Sequence, residues 1–198
     1  MKNKIKLIGV YDYTVILTYM SLCFAVFGML NAVHGKYTLS ILCLVGSGVC
    51  DAFDGMVARS KKNRTEDEKA FGIQLDSLCD VISFGIFPVF LCYFMGMNGA
   101  LGIAIICLYS LCAVIRLAFF NVLEAKRQQA ETGCAKSYRG LPVTTISILL
   151  PFVYLFKNIL PGQVFIWVLH VLMLLVAFLF VYDISVPKPD WKKILTGK

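Results

Sequence analysis

Four aspartates mark the chemistry that this sequence can perform: Asp51, Asp54, Asp76 and Asp80. The first two are three apart and the last two four apart, so on α-helices each pair projects from one face within a single turn. The sequence before Asp51 (YTLSILCLVGSGVC) and after Asp80 (VISFGIFPVFLCYF) is almost wholly apolar, which sets the carboxylates where uncompensated charge is costly. A cation belongs between them. Oxygen ligands without a His or Cys at ligand spacing favour a hard divalent ion, Mg2+, Mn2+ or Ca2+. Two such ions about 3.5 to 4 Å apart, with arginines nearby, are the parts of a phosphoryl-transfer centre. No Ser, Cys or His stands beside a general base as a covalent nucleophile, so direct in-line attack on phosphorus is the favoured chemistry.

The elements that must position these groups follow from composition. Of the 198 residues 59% are hydrophobic and 16% charged, and the mean hydropathy is +0.76, which is a membrane protein. Spans of the length a bilayer needs, about 20 residues, can be drawn at 13 to 34, 37 to 57, 71 to 95, 98 to 122, 141 to 158 and 162 to 183. The expected fold is an all-α integral membrane protein of six transmembrane helices. A juxtamembrane segment (1 to 12) precedes the membrane domain (13 to 183), and a basic tail (184 to 198) follows it. Lys2, Lys4 and Lys6 alternate with Ile5, Leu7 and Ile8, suiting a short amphipathic helix at a lipid surface or a basic tail. It lacks the small-residue cleavage site of a signal peptide.

Sixteen of the nineteen basic residues fall in the segments that six alternating helices place on one side, leaving Lys36 and Lys157 opposite and Arg116 inside a span. That asymmetry predicts cytoplasmic termini, and it puts the four aspartates at the cytoplasmic face of a cell-membrane protein. The net charge of +7 then implies anionic membrane lipid as a partner and no nucleic acid. Eight cysteines without a CxxC pair, seven of them in or beside apolar spans, read as small hydrophobes rather than zinc ligands or a disulfide framework.

Other polar residues accompany the aspartates. Thr18 and Ser21, one turn apart in the first span, can present hydroxyls to a ligand or a neighbouring helix, or bond back to their own helix. Gly55 follows Asp54 and clears a face for a ligand, and Arg59 lies about two turns cytosolic of Asp51, where it either grips a phosphate or snorkels to the surface. Thr65 and Glu68 have capping-box spacing at a helix start. Gly72, Asp76 and Asp80 repeat at four-residue spacing along one stripe. Pro88 in FGIFP should kink its helix, with neighbouring groups satisfying the freed backbone. Arg116 lies inside a span and needs a partner or cavity, one candidate being a salt bridge to an aspartate. Asn121 sits at the rim, and Lys136, Tyr138 and Arg139 form a cationic lip at the entrance to the fifth span.

Asp51-x-x-Asp54-Gly55-x-x-Ala58-Arg59, then Gly72-x-x-x-Asp76-x-x-x-Asp80, resembles the signature of the CDP-alcohol phosphatidyltransferases, membrane enzymes that join an alcohol to a phosphatidyl group from a CDP-linked lipid. RLAFFNV at 116 to 122, YRGLP at 138 to 142 and FGIFP after Asp80 resemble the phosphatidylserine synthase branch. The resemblance runs from Thr14 to Pro142. One departure is the linker of twelve residues between Arg59 and Gly72, longer than the family's usual gap. Another is Ser21, which stands where such enzymes usually carry an Asn.

The resemblance implies attack by the L-serine hydroxyl on CDP-diacylglycerol, giving phosphatidylserine and CMP, in a homodimer. It implies Asp51, Asp54, Asp76 and Asp80 as ligands of Mg2+ or Mn2+, two ions, with Asp80 doubling as base. Thr18, Ser21, Gly55, Ala58, Arg59 and Gly72 would receive the CDP-diacylglycerol. Arg116, Asn121, Lys136 and Arg139 would receive the serine. The alternatives are another acceptor, such as glycerol phosphate or inositol phosphate, and a divalent-cation transporter, which the clustering of all four aspartates at one membrane face disfavours.

Overall fold

Each long apolar run becomes a helix, because in a bilayer only a helix satisfies its own backbone. The computed structural model describes residues 9–61, 64–129, 137–139, 141–183 and 185–187, with Arg59 and residues 124, 126–129, 137–139 and 185–187 described by their backbone alone. Helix α1 spans Ile16–Val33 and α2 spans Tyr37–Ser60. Between them Gly35 adopts φ 72°, the left-handed conformation that ends a helix at little cost only for glycine. Its N–H donates to the Ala32 carbonyl at 3.0 Å, and that of Lys36 to Asn31 at 2.9 Å. Helix α3, Glu66–Asp80, opens on the expected capping box. Glu68 N donates to Thr65 Oγ1 at 3.2 Å and Thr65 N to Glu68 Oε2 at 3.1 Å.

After Asp80 the chain continues as a π-helical stretch, Val81–Ile86, into α4, Phe87–Phe94. Pro88 cannot donate to the Phe84 carbonyl one turn back. The buried phenol of Tyr109 donates to that carbonyl instead, at 2.7 Å, so a neighbouring helix supplies the missing bond as expected. Helix α5 runs Ala100–Gln129, α6 Ile146–Tyr154 after a 3-10 turn at Val143–Thr145, and α7 Gly162–Val181.

Five stretches are long and apolar enough to cross a membrane: Ile16–Val33, Tyr37–Ala58, Glu66–Phe94, Ala100–Leu123 and Gly162–Val181. The span drawn at 141 to 158 instead yields a shorter apolar helix, Val143–Tyr154. Pro151 lies inside it, and beyond Tyr154 the backbone tightens to three-residue bonds such as Lys157 N to Tyr154 O at 3.0 Å. Apolar side chains crowd the outside, with Leu42, Val171 and Leu155 all more than half exposed, a surface matched to lipid rather than water. The proposed amphipathic helix at the N-terminus and most of the basic tail lie outside the described residues.

One element departs from all-helical architecture. Ser137–Arg139 (β1) pairs antiparallel with Ser185–Pro187 (β2), in the register Tyr138 opposite Val186. The ribbon ties the loop before α6 to the chain leaving α7.

Small residues set how closely the helices approach. Helix α1 lies along α2, and α5 along α7. Ser40 Oγ donates to the Gly28 carbonyl at 2.7 Å, while Ser21 and Ser47 each donate to the other's carbonyl, at 3.3 and 2.9 Å. A Cβ at Gly28 would drive into the buried Phe87 ring and come within 2.9 Å of Cys43 Cβ, whereas one at Gly46 would meet the Phe24 ring at an ordinary 3.5 Å. Gly28→Ala should therefore destabilise by about 1–3 kcal/mol through overpacking, and Gly46→Ala by much less. Thermal unfolding of both variants in one detergent checks the difference.

Candidate active site

Helices α2 and α3 place their carboxylates against each other in antiparallel order. Asp51 meets Asp80, and Asp54 meets Asp76. Asp51, Asp76 and Asp80 each offer an oxygen, and these oxygens lie within 4.8 Å of one another. Asp54 and Asp80 are buried. Thr18 Oγ1 reaches from α1 to donate to Asp54 Oδ2 at 3.3 Å, so the first span supplies a hydroxyl to the cluster, one of the readings open from sequence.

The donor set fits a hard cation. Among the described residues no Lys or Arg forms an ion pair with any of the four aspartates, and the buried Oδ1 of Asp76 has no hydrogen-bond partner. Converging anions of this kind stay ionised together only around positive charge. All the ligand atoms are carboxylate oxygens, the choice of Mg2+, Mn2+ or Ca2+. Cys50 and Cys79, next in sequence to Asp51 and Asp80, are buried free thiols outside that set.

The remaining residues divide by what they touch. Ser21 is occupied by helix packing: besides Ser47 it meets Ser83 Oγ at 3.4 Å. Gly55 and Ala58 lie half-buried beyond Asp54 on α2. The side chain of Arg59 and the whole of Lys136 are outside the described residues, and Arg139 is placed only as a strand residue. Asn121 Oδ1 accepts from Ser77 Oγ at 2.7 Å, linking α5 to a residue beside Asp76. Arg116 is buried, donates from Nε to the Leu141 carbonyl at 3.1 Å, and lies over the Phe120 ring at 5.6 Å from its centroid. No aspartate salt bridge to Arg116 occurs among the described residues.

Gly72 holds a surprise. The space its missing side chain opens is filled by the guanidinium of Arg64, whose Nη2 lies 2.6 Å from where a Cβ would stand. In sequence Arg64 is one of the basic residues of the loop between the second and third spans. Its signal was its position just before the Thr65 cap, from which a long side chain can fold back over the first turns of α3.

A second cation closes the rim. Lys61 Nζ bridges Asp12 Oδ2 at 2.7 Å and Glu68 Oε1 at 3.1 Å, joining the segment before α1 to the start of α3. Asp12 also accepts from the Thr14 amide at 2.9 Å and from the Thr14 hydroxyl. Lys61 first, and Thr14 with it, hold the Asp12 carboxyl down at about 2 from an ordinary 3.8. A carboxyl depressed on folding stabilises above its unfolded value and loses that contribution as pH falls through its folded value. The clip should therefore hold at pH 5 and open between about pH 4 and 2, and Lys61→Met, which removes both ion pairs, should leave the segment open already at pH 5. Amide exchange of residues 10–15 across that range measures it.

The family model described as CDP-alcohol phosphatidyltransferase matches residues 13–191. The CDP-diacylglycerol-serine O-phosphatidyltransferase of Helicobacter pylori (strain ATCC 700392 / 26695) is 31% identical over 75% of this chain and 59% of its own length. The protein of that name from Saccharomyces cerevisiae is 37% identical over 54% of this chain and 38% of its own. The archaetidylserine synthase of Methanothermobacter thermautotrophicus is 32% identical over 87% of this chain and 65% of its own. The chain thus spans between 38% and 65% of these three relatives. No solved structure matches it.

Proposed function

This chain belongs to the CDP-alcohol phosphatidyltransferases, and from that premise we propose that it transfers the phosphatidyl group of CDP-diacylglycerol to the hydroxyl of L-serine, giving phosphatidylserine and CMP. The observation that carries the reading is the meeting of Asp51, Asp76 and Asp80 inside the family's motif. The choice of serine is supported by the relatives' names, which share serine while differing in the lipid.

Asp51, Asp54, Asp76 and Asp80 would hold Mg2+ or Mn2+, which when bound neutralises the diphosphate and stabilises the leaving CMP oxygen. Two ions suit four carboxylates better than one. The residues of the chain do the rest. Asp80, buried where α3 ends, accepts the proton of the attacking serine hydroxyl. Thr18 orients Asp54 by its hydrogen bond. Gly55, Ala58, Gly72 and Arg59 receive the CDP end of the donor, with Ser21 behind them in the wall between α1 and α2. Arg116, Asn121, Lys136 and Arg139 stand on the acceptor side, where a guanidinium can meet the serine carboxylate.

The short apolar helix Val143–Tyr154, extended by the turns that follow it, would make the sixth crossing. Cytoplasmic termini and a cytoplasmic site then follow from the side of the membrane on which six alternating helices gather sixteen of the nineteen basic residues. A homodimer, built on lipid-facing apolar surface, is part of the same reading.

Purified protein given CDP-diacylglycerol and Mn2+ should release CMP when serine is added; release only with glycerol phosphate or inositol phosphate would reassign the acceptor. Cation flux into proteoliposomes without CMP release would favour a transporter. Asp80→Asn should lower turnover by at least about a hundredfold while largely preserving binding of the CDP-lipid. Asp76→Asn should weaken Mn2+ binding about tenfold or more, read by titration of the protein with the ion alone.

A further inference from the structure

Among the described residues Arg64 pairs with no carboxylate. Its neighbour Glu68 is the obvious partner, yet both Glu68 carboxylate oxygens are within 3.1 Å of Lys61 Nζ and one also accepts from the Thr65 amide. What Arg64 contacts instead is the Glu68 carbonyl, from Nη2 at 3.0 Å. That carbonyl lies inside α3 and already accepts the helix's own bond from four residues on, so the contact satisfies nothing that would otherwise be orphaned. The Nε–H is buried and has no partner among the described residues. A buried donor on a charged group left unmade costs free energy that a ligand oxygen would recover.

The position tells which ligand. The guanidinium lies against Gly72, and Gly72 is one turn, about 6 Å, from Asp76 on the same stripe of α3. A molecule lying along that stripe would meet carboxylates fitted for cations at one end and a guanidinium fork at the other. Only an anion with several acceptor oxygens satisfies both, and a phosphate is the group whose geometry matches the fork. The linker that carries Arg64, between Arg59 and Gly72, is the one that exceeds the family's usual length, so the motif itself assigns no role to this residue.

We propose that Arg64 binds the phosphate of the cytidine nucleotide through its Nε edge, drawing donor and CMP product to the Gly72 face. The proposal rests on the phosphatidyltransferase reading and names a further residue of its donor site. When the nucleotide arrives, Arg64 exchanges a redundant carbonyl contact for a charge-assisted one. A guanidinium bond to phosphate contributes enough that its removal should weaken binding about tenfold.

The test uses the full chain in nanodiscs with Mn2+ and titrates CMP and cytidine. Arg64→Ala should raise the Kd for CMP about tenfold, leave that for cytidine and the KM for serine within about twofold, and keep Tm. Arg64→Lys, retaining charge without the fork, should fall between, and it carries the test if the alanine variant does not fold. An unchanged CMP affinity beside intact wild-type binding would overturn the role of Arg64 alone. Tighter CMP binding in Arg64→Ala would overturn it too, making the side chain a plug over Gly72. Parallel loss of CMP and cytidine would place the contact on the base and overturn the phosphate assignment. Wild-type protein that binds no CMP at all would overturn the reading of the whole site.

Discussion

Charge repulsion among Asp51, Asp54, Asp76 and Asp80 is the constraint around which the rest of this structure is arranged. The antiparallel approach of α2 and α3 brings the four together inside an apolar bundle, and none has a basic partner among the described residues. A protein built only for stability would replace such a cluster with apolar side chains, because desolvated carboxylates are costly and their mutual repulsion adds to the cost. Retaining them makes sense where a cation and an anionic ligand complete the charge balance. The Oδ1 of Asp76, unpartnered among the described residues, is the local sign of that incompleteness.

Holding mutually repelling groups together requires rigid backing, which comes from close helix contact rather than bulk. Along the α1 and α2 interface, Gly28 receives the Phe87 ring, and Ser21 and Ser47 exchange hydroxyl bonds with each other's carbonyls. In lipid, where helices gain little by hiding apolar surface from each other, such small-residue contacts and interhelical hydrogen bonds are what drives association. The π-helical stretch after Asp80 belongs to the same device. It begins where the carboxylate stripe ends and places Ser83 within 3.4 Å of Ser21, while Tyr109 takes the carbonyl that Pro88 leaves open. Thus the ligand-bearing helix is anchored immediately beyond its last carboxylate.

Local chemistry was the legible part of the sequence. The aspartate spacing, the Thr65 and Glu68 capping box and the backbone cost of Pro88 all depend on residues within one or two turns, and each takes the form its spacing implies. Three features were not legible, for one reason. The Lys61 bridge from Asp12 to Glu68, the seat of Arg64 on Gly72 and the pairing of 137–139 with 185–187 all depend on where long side chains or distant strands come to rest, and periodicity carries no such information. The span at 141 to 158 takes the shorter helical form Val143–Tyr154 for a different reason. Its hydropathy is high enough, but Pro142 and Pro151 interrupt the backbone bonds that a long straight helix needs, and hydropathy does not register bonds.

Arg116 shows how a sequence argument can find the right residue and still miss its partner. A guanidinium inside an apolar span needs a partner or a cavity, and a salt bridge to an aspartate is one candidate. The structure gives it neutral company, the Leu141 carbonyl and the Phe120 ring. Among the described residues neither contact balances its positive charge, and neither uses every donor that a guanidinium has. The Leu141 bond also ties α5 to the YRGLP segment, whose Arg139 is already held by the ribbon to the chain after α7. Arg116 therefore acts first as the strut that sets this loop against the bundle. Since Asn121 on the same helix is bonded to Ser77 beside Asp76, one helix connects the loop to the carboxylate stripe.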